Sequence, residues 1–189
     1  MTGLGLIVIG VSAGGLKALA TLLQGLGPDF AIPIAIVQHR SRDSDSLALV
    51  LQEYTPLRLH EIEDKMPIEP GNVYVAPSDY HTLIDDGHFA LSVDAPVVYS
   101  RPSIDVLFES AADELGERLA GIVLTGANQD GARGLRRIVQ RGGRAIVQDP
   151  ETAEVAVMPR AALQQVPNAQ VVALPDMGAY LNTLSGLTA

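Results

Sequence analysis

The sequence predicts an α/β fold, in which a mostly parallel sheet is flanked by helices. Three short runs of β-branched and aliphatic residues lack the polar alternation of a half-exposed strand, so each is expected to be buried on both faces. These runs are LIVIG at 6–10, IPIAIVQ at 32–38 and GIVLTG at 121–126. Segments with helical spacing follow them along the chain, and this alternation is typical of a parallel sheet covered by helices.

Helices are predicted where apolar residues recur every three or four positions. In GLKALATLLQG at 15–25, Leu16, Leu19 and Leu23 fall near one face, and Gly25 is placed to end the helix. The other predicted elements are a helix at 103–115 with Ser103 as its N-cap, a helix at 134–140, a strand at 143–149, a helical turn at 161–163 and a terminal helix at 177–187.

One segment departs from the alternation of strands and helices. In HTLIDDGHFALS at 81–92, Asp86-Gly87 separates two short alternating runs. Asp-Gly suits a two-residue hairpin turn, which needs positive φ at both positions. We therefore expect an antiparallel hairpin appended to the parallel sheet.

The composition limits the size and the class of the protein. With 189 residues, 47% of them hydrophobic, the chain can bury one good core, so a single domain over residues 1–189 is expected. The net charge of −9 and the dispersed Lys and Arg residues argue against nucleic-acid binding. The absence of cysteine excludes disulfides and thiolate metal sites. The amino-terminal apolar run is too short to span a membrane, so a soluble, cytoplasmic protein is predicted.

The stretch VIGVSAGG at 8–15 has two interpretations. Residues 10–14 spell G-x-S-x-G between a predicted strand and a predicted helix, the context of a turn that presents Ser12 as a nucleophile. Alternatively, the stretch is a glycine-rich loop for a phosphate or a dinucleotide. Such a loop needs glycine where Ser12 stands and an acidic residue after the second strand, where this chain has Gln38-His39-Arg40.

His39 and Asp130 favour the interpretation of Ser12 as a nucleophile. Each follows a predicted buried strand, so both are expected at the carboxyl edge of the sheet with Ser12. There His39 is placed to act as a general base, and Asp130 to hold its tautomer. Both residues have ordinary alternatives: a histidine at a strand end is often a surface residue, and Asp130 or Asn128 is a good N-cap for the following helix.

The other histidines and two arginines carry no predicted catalytic role. His60, His81 and His88 do not have metal-ligand spacing, and no cofactor or metal is expected. Arg101 and Arg160 are interpreted as residues at helix starts rather than as substrate contacts.

Longer segments of the chain give evidence beyond these three residues. They are, in chain order, IGVSAGG, VQHR, GNVYVAPSDYH, RPSIDVLFESAA, LTGANQDGARGL and AVMPRAAL. Together they resemble the catalytic domain of the CheB family, the bacterial chemotaxis receptor-glutamate methylesterases. The resemblance runs from about residue 6 to about residue 185 and is more specific than the five-residue motif alone.

The resemblance implies a fold, an activity and partners. The fold is a doubly wound, mostly parallel sheet with an antiparallel hairpin. The activity is hydrolysis of glutamate methyl esters on chemoreceptors, with deamidation of glutamines as a second activity. Ser12, His39 and Asp130 match the catalytic serine, histidine and aspartate of the family. The implied partners are methylated cytoplasmic receptor helices, with a separate receiver or signalling protein as a further candidate.

The sequence departs from the family pattern in three places. Family members usually carry an amino-terminal phospho-receiver domain, but here the serine motif begins within ten residues of Met1, so we expect a standalone form or a shortened chain. Ala127-Asn128 stands where the family usually has Met-Gly, and Ala13 and Ala127 are the candidates for the oxyanion or substrate-facing wall. VQHR lacks the Met or Leu and the Pro that often follow the family's histidine.

Two further functions stay open on the sequence alone. One is a non-catalytic signalling module that has the same fold and binds receptor helices. The other is a nucleotide-binding domain that uses the glycine loop, which the missing acidic residue after the second strand disfavours.

Overall fold

The protein is described by a computed structural model of residues 3–39 and 47–186. Its strands are β1 (Leu6–Val11), β2 (Ile34–Gln38), β3 (Arg58–Glu61), β4 (Asn72–Val75), β5 (His81–Asp85), β6 (His88–Ser92), β7 (Leu119–Val123), β8 (Arg144–Gln148) and β9 (Gln170–Val172). Its α-helices are α1 (Gly15–Gln24), α2 (Leu47–Leu51), α3 (Ile104–Leu115), α4 (Ala132–Gln140), α5 (Val157–Gln165) and α6 (Met177–Leu184).

Seven strands form one parallel sheet in the order β3-β4-β2-β1-β7-β8-β9. The central strand β1 is buried along its whole length. Ile7 and Ile9 pack into the core on one face of the sheet, and Leu6 and Val8 pack into the core on the other. The absence of polar alternation in this strand therefore reflects burial on both faces, as the sequence predicts.

The helices divide between the two faces. Leu19 of α1, Leu47 of α2 and Met177 of α6 belong to the core that contains Ile7. In contrast, α3, α4 and α5 contribute to the core on the opposite face, for example through Phe108. The predicted doubly wound α/β architecture is confirmed.

The strand order creates a crevice beside β1. From β1 the chain moves to β2 on one side, and it later returns to β7 on the other side. The helices that follow β1 and β7 lie on opposite faces of the sheet. The carboxyl ends of β1 and β7 thus border the kind of opening where doubly wound sheets bind their ligands.

The predicted hairpin is present as β5 and β6. Asp86 and Gly87 both have positive φ, 46° and 73°, as a two-residue turn between antiparallel strands requires. The pair forms its own two-stranded sheet and packs on α3, where the N–H of Ile84 donates to Ser110 Oγ at 3.1 Å. The hairpin therefore sits beside the helix that borders the candidate site.

Some element boundaries differ from the sequence prediction. The strand expected at 121–126 is β7, which ends at Val123, because the N–H of Thr125 leaves the ladder to donate to the Gln148 side chain at 2.8 Å. The helical turn expected at 161–163 is part of the longer α5. The terminal helix ends at Leu184, and Leu187 lies outside the described residues.

Among the described α-helices and strands, four were not predicted from the sequence: α2, β3, β4 and β9. The two outermost strands, β3 and β9, expose much of their length and lack a long apolar run. They owe their place to pairing with β4 and β8, and a local pattern does not encode such pairing. Within residues 3–39 and 47–186, the longest α-helix has 12 residues, and none is long and apolar enough to cross a membrane.

Candidate active site

Ser12 lies in a sharp turn between β1 and α1. Its N–H donates to the carbonyl oxygen of Thr125 at 3.0 Å, and its own carbonyl accepts from the N–H of Gly15 at 2.9 Å. Gly14 has a φ of 76°, in the left-handed region that favours glycine. The turn leaves Ser12 partly exposed at the carboxyl edge of the sheet.

Gly10, the first glycine of the motif, has a different structural role from Gly14. A side chain at Gly10 would overlap the Ile104 side chain in the first turn of α3. Gly10 therefore lets the amino terminus of α3 approach β1 closely. The motif thus encodes both the turn at Ser12 and the approach of the helix that borders the site.

Thr125 and Gln148 hold the Ser12 turn from the side of β7. The Thr125 hydroxyl donates to the carbonyl oxygen of Ala13 at 2.9 Å and accepts from the N–H of Val155 at 2.9 Å. Gln148 is fully buried at the end of β8, and its Oε1 accepts from the N–H of Thr125. Neither residue was predicted to have a role from the sequence, although Thr125 lies in the LTG segment that carries the family resemblance.

His39 follows β2 and stands next to the Ser12 turn. Its N–H donates to the carbonyl oxygen of Val11 at 3.1 Å, which places it level with the end of β1. Its imidazole Nε2 donates to Asp130 Oδ2 at 2.8 Å, and the side chain is 12% exposed. Arg40, the next residue of VQHR, lies outside the described residues.

Asp130 is fully buried in the loop between β7 and α4, and its carboxylate accepts four hydrogen bonds from described residues. One comes from His39. The others come from Ser103 Oγ at 2.9 Å, from the N–H of Ile104 at 2.7 Å and from the N–H of Asp105 at 3.0 Å. The last two donors are N–H groups at the start of α3, where the positive end of the helix dipole also favours an anion.

These contacts keep Asp130 ionised. Burial by itself would raise the pKa of the Asp130 carboxyl. The hydrogen bonds from His39 and from the N–H groups of Asp105 and Ile104 outweigh burial, so the pKa is lowered. A buried anion therefore lies against the His39 imidazole.

The predicted alternative role of Asp130, as N-cap of the following helix, is wrong. The side chain turns away from α4 and caps the spatially adjacent α3 instead, while Gly131 occupies the N-cap position of α4 with a φ of 93°. Ser103 is the N-cap residue of α3, as predicted, but its hydroxyl donates to Asp130 rather than capping α3. Asn128 does not cap α4 either, because its Oδ1 accepts from the N–H of Asp130 at 3.0 Å.

Asp105 caps α4 in return. Its Oδ1 accepts from the N–H groups of Gly131 at 3.0 Å and Gly134 at 2.7 Å. Burial and the nearby Asp130 charge raise the pKa of Asp105 to about 6, against the lowering effects of the Gly134 N–H and Arg133. Two buried carboxylates thus cap each other's helices across one loop.

The raised pKa of Asp105 predicts a pH-dependent stability. Between about pH 4 and pH 6 the folded chain keeps a proton on Asp105 that the unfolded chain has released, so the contribution of Asp105 to the free energy of unfolding falls as the pH rises through this window. Asp105→Asn removes this contribution. From pH 4 to pH 7, the free energy of unfolding of the wild type should fall by about 1–3 kcal/mol relative to that of the variant.

Chemical denaturation of both proteins at several pH values measures this difference. Asp29→Asn, at an exposed position, is the control and should follow the wild type. Parallel profiles for the wild type and Asp105→Asn would contradict the prediction.

His81 and Arg101 fix the segment that leads into α3. The buried His81 accepts the N–H of Ser103 at Nδ1, 3.2 Å away, and its Nε2 donates to the carbonyl oxygen of Ala95 at 3.1 Å. Arg101 pairs with Asp79 at 2.7 Å and donates to backbone carbonyls. Both residues therefore stabilise the segment that leads into α3, whose first residues bind Asp130.

The remaining residues singled out in the sequence lie elsewhere. His60 stacks on Tyr74, and His88 contacts the backbone of Asp86 in the hairpin. Arg160 lies in the first turn of α5, with a long 3.5 Å contact to Glu151. Among the described residues, no group of His, Asp and Glu side chains is arranged to hold a metal ion.

The surface around Ser12 is an open cleft. It is lined by Ser12, Gly14, Leu16, Lys17, Gln38 and Glu154. Ala13 follows the serine directly, and Ala127 is exposed after the end of β7. Within residues 3–39 and 47–186, no backbone acceptor takes the N–H of either alanine.

The structure brings two of the three predicted site residues into direct contact. His39 and Asp130 are hydrogen-bonded, and Ser12 lies beside them on the same edge of the sheet. In the described part of the chain, the Ser12 hydroxyl forms no hydrogen bond with His39. The side chain of Asn128 instead reaches the second imidazole nitrogen, Nδ1, at 3.3 Å.

The family model described as CheB methylesterase matches residues 7–181. A protein from Leptospira interrogans, provisionally named protein-glutamate methylesterase/protein-glutamine glutaminase, is 51% identical over 160 residues, which cover 84% of this chain and 83% of the relative. The protein-glutamate methylesterase FrzG of Myxococcus xanthus is 40% identical over 178 residues, which cover 93% of this chain and 53% of FrzG. The chain thus spans most of the first relative and about half of the second.

A solved structure has the same fold. The crystal structure of the Thermotoga maritima CheB methylesterase catalytic domain matches with a TM-score of 0.91 and 30% sequence identity. The match covers 97% of this chain and all of that domain.

Proposed function

Since the chain belongs to the CheB methylesterase family, we propose that it is a serine hydrolase that removes methyl groups from glutamate methyl esters of chemoreceptors. Ser12, His39 and Asp130 are its proposed catalytic residues. The observation that carries the proposal is the 2.8 Å hydrogen bond from His39 to the buried Asp130, beside a strand-to-helix turn that exposes a serine. This arrangement has the parts that nucleophilic catalysis at an ester requires.

The proposed reaction begins with attack of the Ser12 hydroxyl on the ester carbonyl. His39 takes the hydroxyl proton, and the buried Asp130 charge stabilises the imidazolium that forms. The N–H groups of Ala13 and Ala127 are the proposed donors to the oxyanion. Methanol leaves with the proton from His39, and water then hydrolyses the glutamyl-serine ester to release glutamate and free serine.

Deamidation of glutamine is the second proposed activity. An amide follows the same path with ammonia as the leaving group, and the name of the Leptospira relative includes a glutaminase activity. The proposed partners are the methylated cytoplasmic helices of chemoreceptors, and a separate receiver or signalling protein is a further candidate.

One observation favours a second function, a receptor-binding module without catalysis. Because no hydrogen bond joins the Ser12 hydroxyl to His39 within the described residues, the hydroxyl and the base are not yet aligned for proton transfer. In this alternative the chain has the same fold and binds receptor helices but does not turn over the ester.

Covalent labelling together with a methanol assay separates the two functions. The full chain is incubated with a fluorophosphonate probe and, separately, with a methylated cytoplasmic receptor fragment. We expect the probe on Ser12 by peptide mapping, and methanol release that follows the amount of enzyme. Binding of the fragment without methanol release or labelling would favour the receptor-binding module.

A further inference from the structure

The Asn128 side chain links the Asp130 backbone to the His39 imidazole. Its Oδ1 accepts from the N–H of Asp130 at 3.0 Å, and its Nδ2 lies 3.3 Å from His39 Nδ1. The exchanged orientation of the amide would place an NH₂ group against a backbone N–H, two donors facing each other. The amide nitrogen is therefore the atom that faces His39.

This orientation assigns the protons on His39. Asp130 Oδ2 can only accept, so Nε2 carries a proton, and in the neutral ring Nδ1 then has the lone pair. Nδ1 accepts from the Asn128 amide. Both nitrogens of His39 thus have partners, and neither partner is Ser12.

We propose that Asn128 is a positioning residue that occupies His39 Nδ1 in the resting site and competes with the Ser12 hydroxyl for it. The proposal rests on the proposed function, in which His39 takes the proton from Ser12. Since Asp130 occupies Nε2, that proton has to arrive at Nδ1. Once Nδ1 carries a proton, it and the Asn128 NH₂ group are both donors and cannot bond each other. The hydrogen bond between Asn128 and His39 therefore breaks before the proton moves.

The two contacts of Asn128 can be separated by substitution. A serine at this position is able to accept from the N–H of Asp130, as short hydroxyl side chains do in turns, but it is too short to reach His39. An aspartate keeps the acceptor for that N–H and presents a carboxylate oxygen to Nδ1. The two variants therefore preserve the turn and change the His39 contact in opposite ways.

The two variants are expected to change the rates in opposite directions. Asn128→Ser frees Nδ1, so kcat for methanol release and the rate of Ser12 labelling rise roughly two- to tenfold, the range that one neutral hydrogen bond supports. Asn128→Asp favours a proton on Nδ1 and removes the base, so both rates fall roughly tenfold or more. The melting temperatures of both variants should stay close to that of the wild type.

Nitrogen-15 NMR of the histidine side chains tests the contact without relying on activity. With the ring neutral, the wild type should show a protonated Nε2 and a hydrogen-bonded Nδ1 for His39. In Asn128→Ser the Nδ1 resonance should move towards the position of a nitrogen without a donor, and in Asn128→Asp a proton should appear on Nδ1.

The outcomes distinguish this proposal from the proposed function. If the wild type releases methanol but Asn128→Ser leaves both kcat and the Nδ1 resonance unchanged, the role of Asn128 is overturned while the function stands. A fall in kcat in both variants that follows a loss of thermal stability would also overturn it, since a purely structural residue behaves in this way. If the wild type releases no methanol and Ser12 is not labelled, the proposed function fails, whereas the Nδ1 resonance still reports whether Asn128 holds His39.

Discussion

Ser12→Ala is expected to lower kcat for methanol release from a methylated receptor fragment by at least roughly 10⁴-fold, because the attacking hydroxyl is lost. The fold should be unaffected. The hydrogen bonds of Ser12 within the described residues involve its backbone N–H and carbonyl, which alanine retains. The variant should therefore melt with the wild type and bind the receptor fragment with similar affinity.

Steady-state methanol release, thermal unfolding and fragment binding together test this expectation. Ser185→Ala, in the last turn of the chain that the structure describes, is the matched control and should have wild-type kcat. Methanol release by Ser12→Ala at a wild-type rate would rule out Ser12 as the nucleophile.

Asp130→Asn is expected to affect both stability and activity. The carboxylate accepts four hydrogen bonds within the part of the chain that the structure describes, and an amide in its place would turn its NH₂ group towards some of those donors. Buried donors without an acceptor and the loss of charge-assisted bonds should lower the free energy of unfolding by about 2–4 kcal/mol. Without the anion, His39 also loses the partner that holds its tautomer, and kcat should fall roughly 10²- to 10⁴-fold.

The destabilisation of Asp130→Asn should depend on pH. The pKa of Asp130 is lowered in the folded chain, so its charge contributes stability above its ordinary pKa of about 3.9. That contribution is lost as the pH falls through the lower value in the folded state. The difference in unfolding free energy between wild type and variant should therefore shrink in acid.

Chemical denaturation and kcat measured on the same samples test both effects. As a control, Asp113→Asn removes a carboxylate on α3 that is exposed and paired with Arg137 and Arg141, and it should leave kcat unchanged. An Asp130→Asn protein with full stability at neutral pH and full activity would contradict the assignment of Asp130 as a buried anion that serves His39.

Much of the fold could be predicted from the sequence because local patterns encode it. The buried strand β1 and the amphipathic α3 are visible as runs and periodicities, and Asp86-Gly87 marks the hairpin turn. The edge strands β3 and β9 were missed, since short and exposed strands have no such pattern. Their conformation depends on the neighbouring strand rather than on their own residues.

For the candidate site, the sequence predicts only the three residues that follow the ends of strands. Ser12, His39 and Asp130 follow β1, β2 and β7, and parallel strands bring their carboxyl ends to one edge. The catalytic roles of these residues stay predictions. The surroundings were not predicted, because Thr125, Gln148 and His81 act through contacts with residues far away in the sequence.

The sequence by itself determined the α/β class, the hairpin and the three strand ends that carry Ser12, His39 and Asp130, because each of these depends on residues close together in the chain. Only the tertiary structure decided which partners those side chains have. Asp130 caps α3 rather than the helix that follows it, and it bonds His39 across 91 positions of the chain. Likewise, the contact of Asn128 with His39 exists because β2 and β7 flank the same central strand, and strand order is not written in any local pattern.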